Sequence, residues 1–194
     1  PLAIALAGVD GVAHEVATTL RTPGHEIDLA AGLLHAEGLL AADEPFTTTA
    51  GDVWRDARPD DHLTVHVARE VDPTTLAHRH AVATASCGLC GRATIEQLLA
   101  RTPPVTGGTP VPWATLVALP ERLRDRQATF AVTGGLHATG IADRDGRLLV
   151  VREDVGRHNA LDAAIGERLR AGDLPLTDRI VVLSGRVGTE LVHK

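Results

Sequence analysis

The two cysteines of this chain sit together in Ser86-Cys87-Gly88-Leu89-Cys90-Gly91, a close thiol pair set among glycines. Such a pair suits sulfur or metal chemistry. The thiolate is the nucleophile, and a cysteine at the mouth of a helix, where unpaired backbone N–H groups point outward, has its pKa lowered into the useful range. The following residues, Thr94 to Ala100, read as that helix.

Three chemistries are open to these thiols. A structural zinc site needs four protein ligands, and without a second CxxC it would have to borrow His78 and His80, which alternate with apolar residues as on a strand. His35-Ala36-Glu37 followed by Cys87-Gly88-Leu89-Cys90 imitates the H-x-E…P-C-x-x-C signature of zinc-dependent nucleobase deaminases. Against the deaminase, Ser86 stands where the proline belongs and His35 falls well inside a helical pattern. The third is thiol–disulfide chemistry, as in a CxxC thiol oxidoreductase, which would cycle the pair through a reversible disulfide and needs no nucleotide.

The elements around the pair follow from periodicity. His14 to Leu20 alternates as a strand and Arg21-Thr22-Pro23-Gly24 turns the chain. Glu26 to Leu40 carries the spacing of a buried helical face, and Leu63, Val65 and Val67 mark a half-buried strand. Arg101 to Pro112 is rich in breakers, and Trp113 to Gln127 is amphipathic. Then come a strand over Thr129 to Thr133, a hairpin around Asp145-Gly146 with strand Leu148 to Val151, a helix over Asn159 to Arg170, a strand over Ile180 to Ser184 and a terminal helix from Thr189. This order predicts an α/β sandwich with a mixed sheet, one domain with a small N-terminal β-rich part over about 1–22 and a main α/β part over 23–194.

The totals limit the partners. With 194 residues and 44% hydrophobic content the chain can bury one sizeable core. No apolar run reaches the ~20 residues that span a bilayer, so no membrane association is expected, and the cytoplasm, where thiols stay reduced, is the expected compartment. The net charge is -6, with no basic block, tyrosine is absent and phenylalanine occurs twice, which argues against nucleic acid as a partner. Any phosphate recognition must be local.

Polar and glycine residues gather in three places expected just past strand ends: Thr133-Gly134-Gly135-Leu136-His137, Arg152-Glu153-Asp154-Val155-Gly156-Arg157-His158-Asn159, and Ser184-Gly185-Arg186. In open α/β sheets, ligands bind outside the carboxyl ends of strands, so the three segments should share one site. Glycine admits close backbone approach, and Arg152, Arg157 and Arg186 could make two-point contacts to phosphate. Singly, Arg152-Glu153-Asp154 could equally be a solvated charge cluster after a hairpin, and Asn159 or Asp162 a helix cap or surface position.

Taken together, these strings resemble the formate dehydrogenase accessory sulfurtransferases, the FdhD or NarQ family. The resemblance rests on Arg21-Thr22-Pro23-Gly24 with Asp28-Leu29-Ala30, Glu37-Gly38, the thiol motif, Phe130 with Thr133 to His137, Ser184-Gly185-Arg186 with Glu190, and above all Arg152 to Asp162. It implies a cytoplasmic homodimer with a cytidine deaminase-like fold. It further implies a sulfurtransferase that takes persulfide sulfur from a cysteine desulfurase and delivers it to the molybdenum bis-molybdopterin guanine dinucleotide cofactor for formate dehydrogenase, with no permanent metal. Cys87 would carry the persulfide with Cys90 as its helper. Thr133, Gly134, Gly135, His137, Arg152, Asp154, Gly156, Arg157, His158, Asn159, Ser184, Gly185 and Arg186 would help to hold the guanine dinucleotide. Family members continue with a Ser-Ala-Pro-Thr segment and a Phe-x-Arg loop that do not occur here, so the chain is expected to be shortened at its C-terminus. A cofactor chaperone that binds without transferring sulfur is a further alternative.

Overall fold

The structure, a computed structural model, describes residues 1–51, 61–77 and 108–194. The thiol motif, its helix, His78 and His80 lie outside the described residues.

Two sheets flank a pair of helices. The first sheet is mixed, in the order β2-β1-β4-β3, from β1 (Leu2–Ala7), β2 (Ala13–Thr19), β3 (Phe46–Ala50) and β4 (His62–Val67). β1 pairs antiparallel with β2 and parallel with β4. All six residues of β1, Leu-Ala-Ile-Ala-Leu-Ala, are buried, as its central place in the sheet requires. The strands before residue 22 therefore share a sheet with strands from well beyond it.

Helix α1 (Glu26–Ala36) covers this sheet. Leu29, Ala30, Ala31 and Leu34 meet Leu2, Ile4 and Leu6 of β1 and Leu63, Val65 and Val67 of β4 in the main core. Each such leucine contributes roughly 2 kcal/mol by leaving water. The helix stops short of the expected Leu40 because Gly38 takes a left-handed φ of 66° and the N–H groups of Gly38 and Leu39 turn back to the carbonyls of His35 and Leu34. A short α2 (Pro73–Ala77) follows β4.

The second sheet, β6-β5-β7, is antiparallel throughout, from β5 (His137–Ala142), β6 (Leu148–Asp154) and β7 (Ile180–Leu183). Helix α3 (Trp113–Asp125) seats Leu119 and Leu123 against Ala138, Ala142 and Val182. On the other side lies α5 (Arg157–Arg170), buried almost continuously from Asn159 to Gly166. Ala164 packs on Ile141 and Val150, and Leu161 and Ile165 pack on Leu191 of the short α6 (Thr189–His193).

The two halves join where α1 crosses α5. Gly32 and Gly166 lie in the contact, and a methyl group on Gly166 would come within 2.6 Å of the Gly32 nitrogen and 2.8 Å of the Asp28 carbonyl carbon. Here backbone packs on backbone. Asp28, 4% exposed, fixes the crossing: Oδ2 accepts from Nε and Nη2 of Arg152 on β6 at 3.1 and 2.8 Å, and Oδ1 accepts from Nη1 of Arg170 at 2.6 Å.

One expected element differs in kind. Residues 129–133 belong to a short helix, α4 (Ala128–Thr133), instead of a strand. Its sequence, Ala-Thr-Phe-Ala-Val-Thr, has the β-branched character of a strand, but none of its residues is buried and its ends are fixed from outside. The Glu153 carboxylate accepts from the N–H groups of Thr129 and Phe130 at 2.9 and 2.8 Å, and Gly134, at φ 66°, closes the far end by donating to the Phe130 carbonyl. Thr133 to His137 thus leads into β5 instead of leaving a strand.

Candidate functional site

The three glycine and polar segments do meet, for a reason other than the one expected. The second sheet is antiparallel, so β6 and β7 end at the edge where β5 begins. His137 stands opposite Asp154 in the register, and the Ser184 N–H donates to the Ala138 carbonyl at 3.0 Å. The Ala138 N–H donates in turn to Ser184 Oγ at 2.8 Å. Gly185 lies against the His137 ring, with space so limited that a side-chain carbon there would sit 3.0 Å from Nδ1. The edge thus joins Gly134-Gly135 before β5, the Asp154 turn after β6, and Ser184-Gly185-Arg186 after β7.

Within the string Arg152 to Asn159 the side chains divide into scaffold and surface. The two-point contact expected between Arg152 and a phosphate is made instead with Asp28. Asp154 is 4% exposed, and its carboxylate organises the turn: Oδ2 accepts from the Thr22 N–H at 2.8 Å, and Oδ1 accepts from the Gly156 N–H at 2.8 Å and from Asn159 Nδ2 at 3.1 Å. Thr22 returns the contact through Oγ1, which accepts from the Val155 N–H at 3.0 Å. Asn159 Nδ2 also reaches the Leu20 carbonyl at 2.7 Å. The Arg21-Thr22-Pro23-Gly24 turn is thereby latched to the start of α5.

This latch yields a prediction. Asp154→Asn places an amide NH2 among three donors, so at least one N–H of the latch loses its acceptor. Urea denaturation should show a loss of about 2 kcal/mol. An unchanged midpoint and slope would mean that the carboxylate does not hold the turn.

What remains toward solvent is the mouth of α5. Gly156 is the N-cap, no side chain among the described residues caps the first turn, and Arg157 and His158 open the helix. Free N–H groups and the positive end of the helix dipole favour an anion at such a terminus. Glu190 of α6 faces both side chains, its Oε1 lying 3.3 Å from Arg157 Nη2 and 3.3 Å from His158 Nε2. Burial, with Arg157 next in importance, pulls the His158 imidazole below its ordinary pKa, which favours the neutral ring. A hydrogen bond from its own backbone N–H, then Arg157, hold the Glu190 carboxyl below the usual carboxylate range. One turn along, buried Asp162 is pushed up by desolvation and held by Lys194 at 2.6 and 2.8 Å.

Thr133 turns inward on its own helix, donating from Oγ1 to the Thr129 carbonyl at 2.9 Å. Arg186 and Ser184 are exposed. Four participants escaped the expected set: Asp28 and Thr22, which hold Arg152 and Asp154, Glu153, which starts α4, and Glu190, which faces Arg157 and His158. All four did stand in the strings that carried the family resemblance, but only the fold reveals their partners. His35, the zinc ligand of the deaminase alternative, places Nδ1 2.8 Å from the Leu40 carbonyl. Among the described residues, no helix is long and apolar enough to cross a membrane.

A mixed α/β protein with two sheets around a glycine-mediated helix crossing, and one sheet edge lined by glycine, arginine and histidine, is the class that this geometry defines. The FdhD/NarQ family model matches residues 1–194, and the chain belongs to that family. The sulfur carrier protein FdhD of Corynebacterium efficiens is 45% identical over 188 residues, covering 91% of this chain and 67% of the relative. That of Streptomyces coelicolor is 40% identical over 205 residues, covering 100% and 70%. The chain thus spans about two thirds of the length of these relatives. A crystal structure from Desulfotalea psychrophila, provisionally assigned as a formate dehydrogenase accessory protein, superposes with a TM-score of 0.63 at 19% identity, covering 99% of this chain and 68% of that one. That likeness supports the fold.

Proposed function

We propose that this protein is a sulfurtransferase that carries sulfur as a persulfide on Cys87, from a cysteine desulfurase to the bis-molybdopterin guanine dinucleotide cofactor required by formate dehydrogenase. The observation that carries this reading is the 38–45% identity to relatives named as sulfur carrier proteins. In the relay the Cys87 thiolate attacks the outer sulfur of the donor's persulfide, and the donor leaves as a thiolate. Attack of the Cys90 thiolate on Cys87 Sγ then breaks the new S–S bond and releases the outer sulfur at the sulfide level. The two electrons come from the cysteine pair, which is left as a disulfide for a dithiol to reduce. The same reading makes the protein a cytoplasmic homodimer with a cytidine deaminase-like arrangement of its sheets and helices.

The glycine-lined sheet edge is the proposed seat of the guanine dinucleotide. Arg157, His158, His137 and Arg186 supply donors to phosphate there, while Arg152, Asp154 and Asn159 hold the frame. GDP serves as the test ligand. Calorimetric titration should show the Arg157→Ala variant binding GDP about tenfold more weakly than the parent, in line with the loss of one charge-assisted contact. Equal affinity in the two proteins would move the phosphate site elsewhere.

A further inference from the structure

The geometry points to Glu190 as an internal place-holder for phosphate: its carboxylate sits on Arg157 and His158, and an anion takes the Arg157 edge only by displacing it. This inference rests on the anion site proposed above and adds a residue that sets its affinity. The first support is the manner of contact. Glu190 Oε1 reaches only Nη2 of Arg157, at 3.3 Å, where a matched carboxylate or phosphate engages a guanidinium through two parallel bonds. Arg157 Nε, on the same edge as Nη2, is buried and has no hydrogen-bond partner among the described residues. The edge is therefore half used.

The second support is how the carboxylate is held. Gly188 has no side chain, and the Glu190 carboxylate lies folded back in the space that a side-chain carbon at 188 would occupy. Leu191 anchors α6 against Leu161 and Ile165, so Glu190 can rotate away without the helix leaving its seat. A carboxylate that meets Arg157 through one long contact and is otherwise held by His158 and its own backbone N–H, beside an unspent donor at the N-terminal end of a fourteen-residue helix, is suited to give way to a ligand with more oxygens. The apparent affinity for that ligand falls by the fraction of molecules in which the carboxylate is in place.

The experiment titrates GDP, inorganic pyrophosphate and guanosine into the parent, Glu190→Gln, Glu190→Ala, Arg157→Ala and Arg157→Ala/Glu190→Gln, with thermal melts to confirm folding. Both Glu190 variants should bind GDP and pyrophosphate about three- to tenfold more tightly, with no gain for guanosine, and the gain should vanish in the double variant. Unchanged or weaker binding by both Glu190 variants, while Arg157→Ala still weakens GDP binding, would overturn the place-holder and leave the anion site standing. Absence of GDP and pyrophosphate binding by the parent and both Glu190 variants would overturn the two together.

Discussion

Replacing Gly166 by alanine should destabilise the protein by about 4 kcal/mol, although alanine is the better helix former by ~1 kcal/mol. The sign reverses because of what lies opposite. A methyl group at 166 would fall on the backbone of α1, within 2.6 Å of the Gly32 nitrogen and 2.8 Å of the Asp28 carbonyl carbon. Neither neighbour is the end of a flexible side chain, so the strain can be relieved only by parting the helices. Parting them also stretches the Asp28 contacts to Arg152 and Arg170. Against a typical total of about 5–15 kcal/mol, such a loss leaves little margin. A urea midpoint that rises in Gly166→Ala, as helix propensity alone would give, would show that the helices do not meet at this glycine.

The second large effect is chemical. Cys87→Ser should abolish support of formate dehydrogenase in cells that lack their own sulfur carrier, because a hydroxyl cannot hold a persulfide. Cys90→Ser should leave sulfur loading intact and slow its release, since the transferred sulfur would have to be reduced by an outside thiol. Restoration of formate-dependent dye reduction, measured with each variant expressed at equal level, reads both. Full activity with Cys87→Ser would reduce the protein to a cofactor chaperone.

How much of this lay open in the sequence depends on how local the cause was. The sequence pattern located α1, α5 and the strand His62–Val67 because the apolar residues that mark them lie within each run, but that strand, expected to be half-buried, is buried on both faces, with His62 and Thr64 covered as well. Residues 129–133 misled because their β-branched content is local, whereas the causes of their helix, Glu153 and the left-handed Gly134, act from outside the run. The meeting of the three polar segments was expected by an argument that does not apply to them: the described strands of the second sheet pair antiparallel, which brings the start of β5 to the ends of β6 and β7. The string Arg152 to Asn159 announced its importance but not its division of labour. Arg152 and Arg157 look alike in sequence. One is spent on Asp28, 124 residues away, and the other stands at the open mouth of a helix. No residue type or spacing encodes that difference. The thiol pair, read as sulfur or metal chemistry from its spacing, lies outside the described residues.

The most direct test of sulfur carriage is the intact mass of the protein after incubation with a cysteine desulfurase and cysteine, with zinc assayed on the same samples. A gain of one sulfur atom, present in the parent and in Cys90→Ser, absent in Cys87→Ser and reversed by a reducing thiol, is the result expected of a persulfide carrier. Bound zinc in stoichiometric amount with no gain in mass would contradict it and return the cysteines to a metal site.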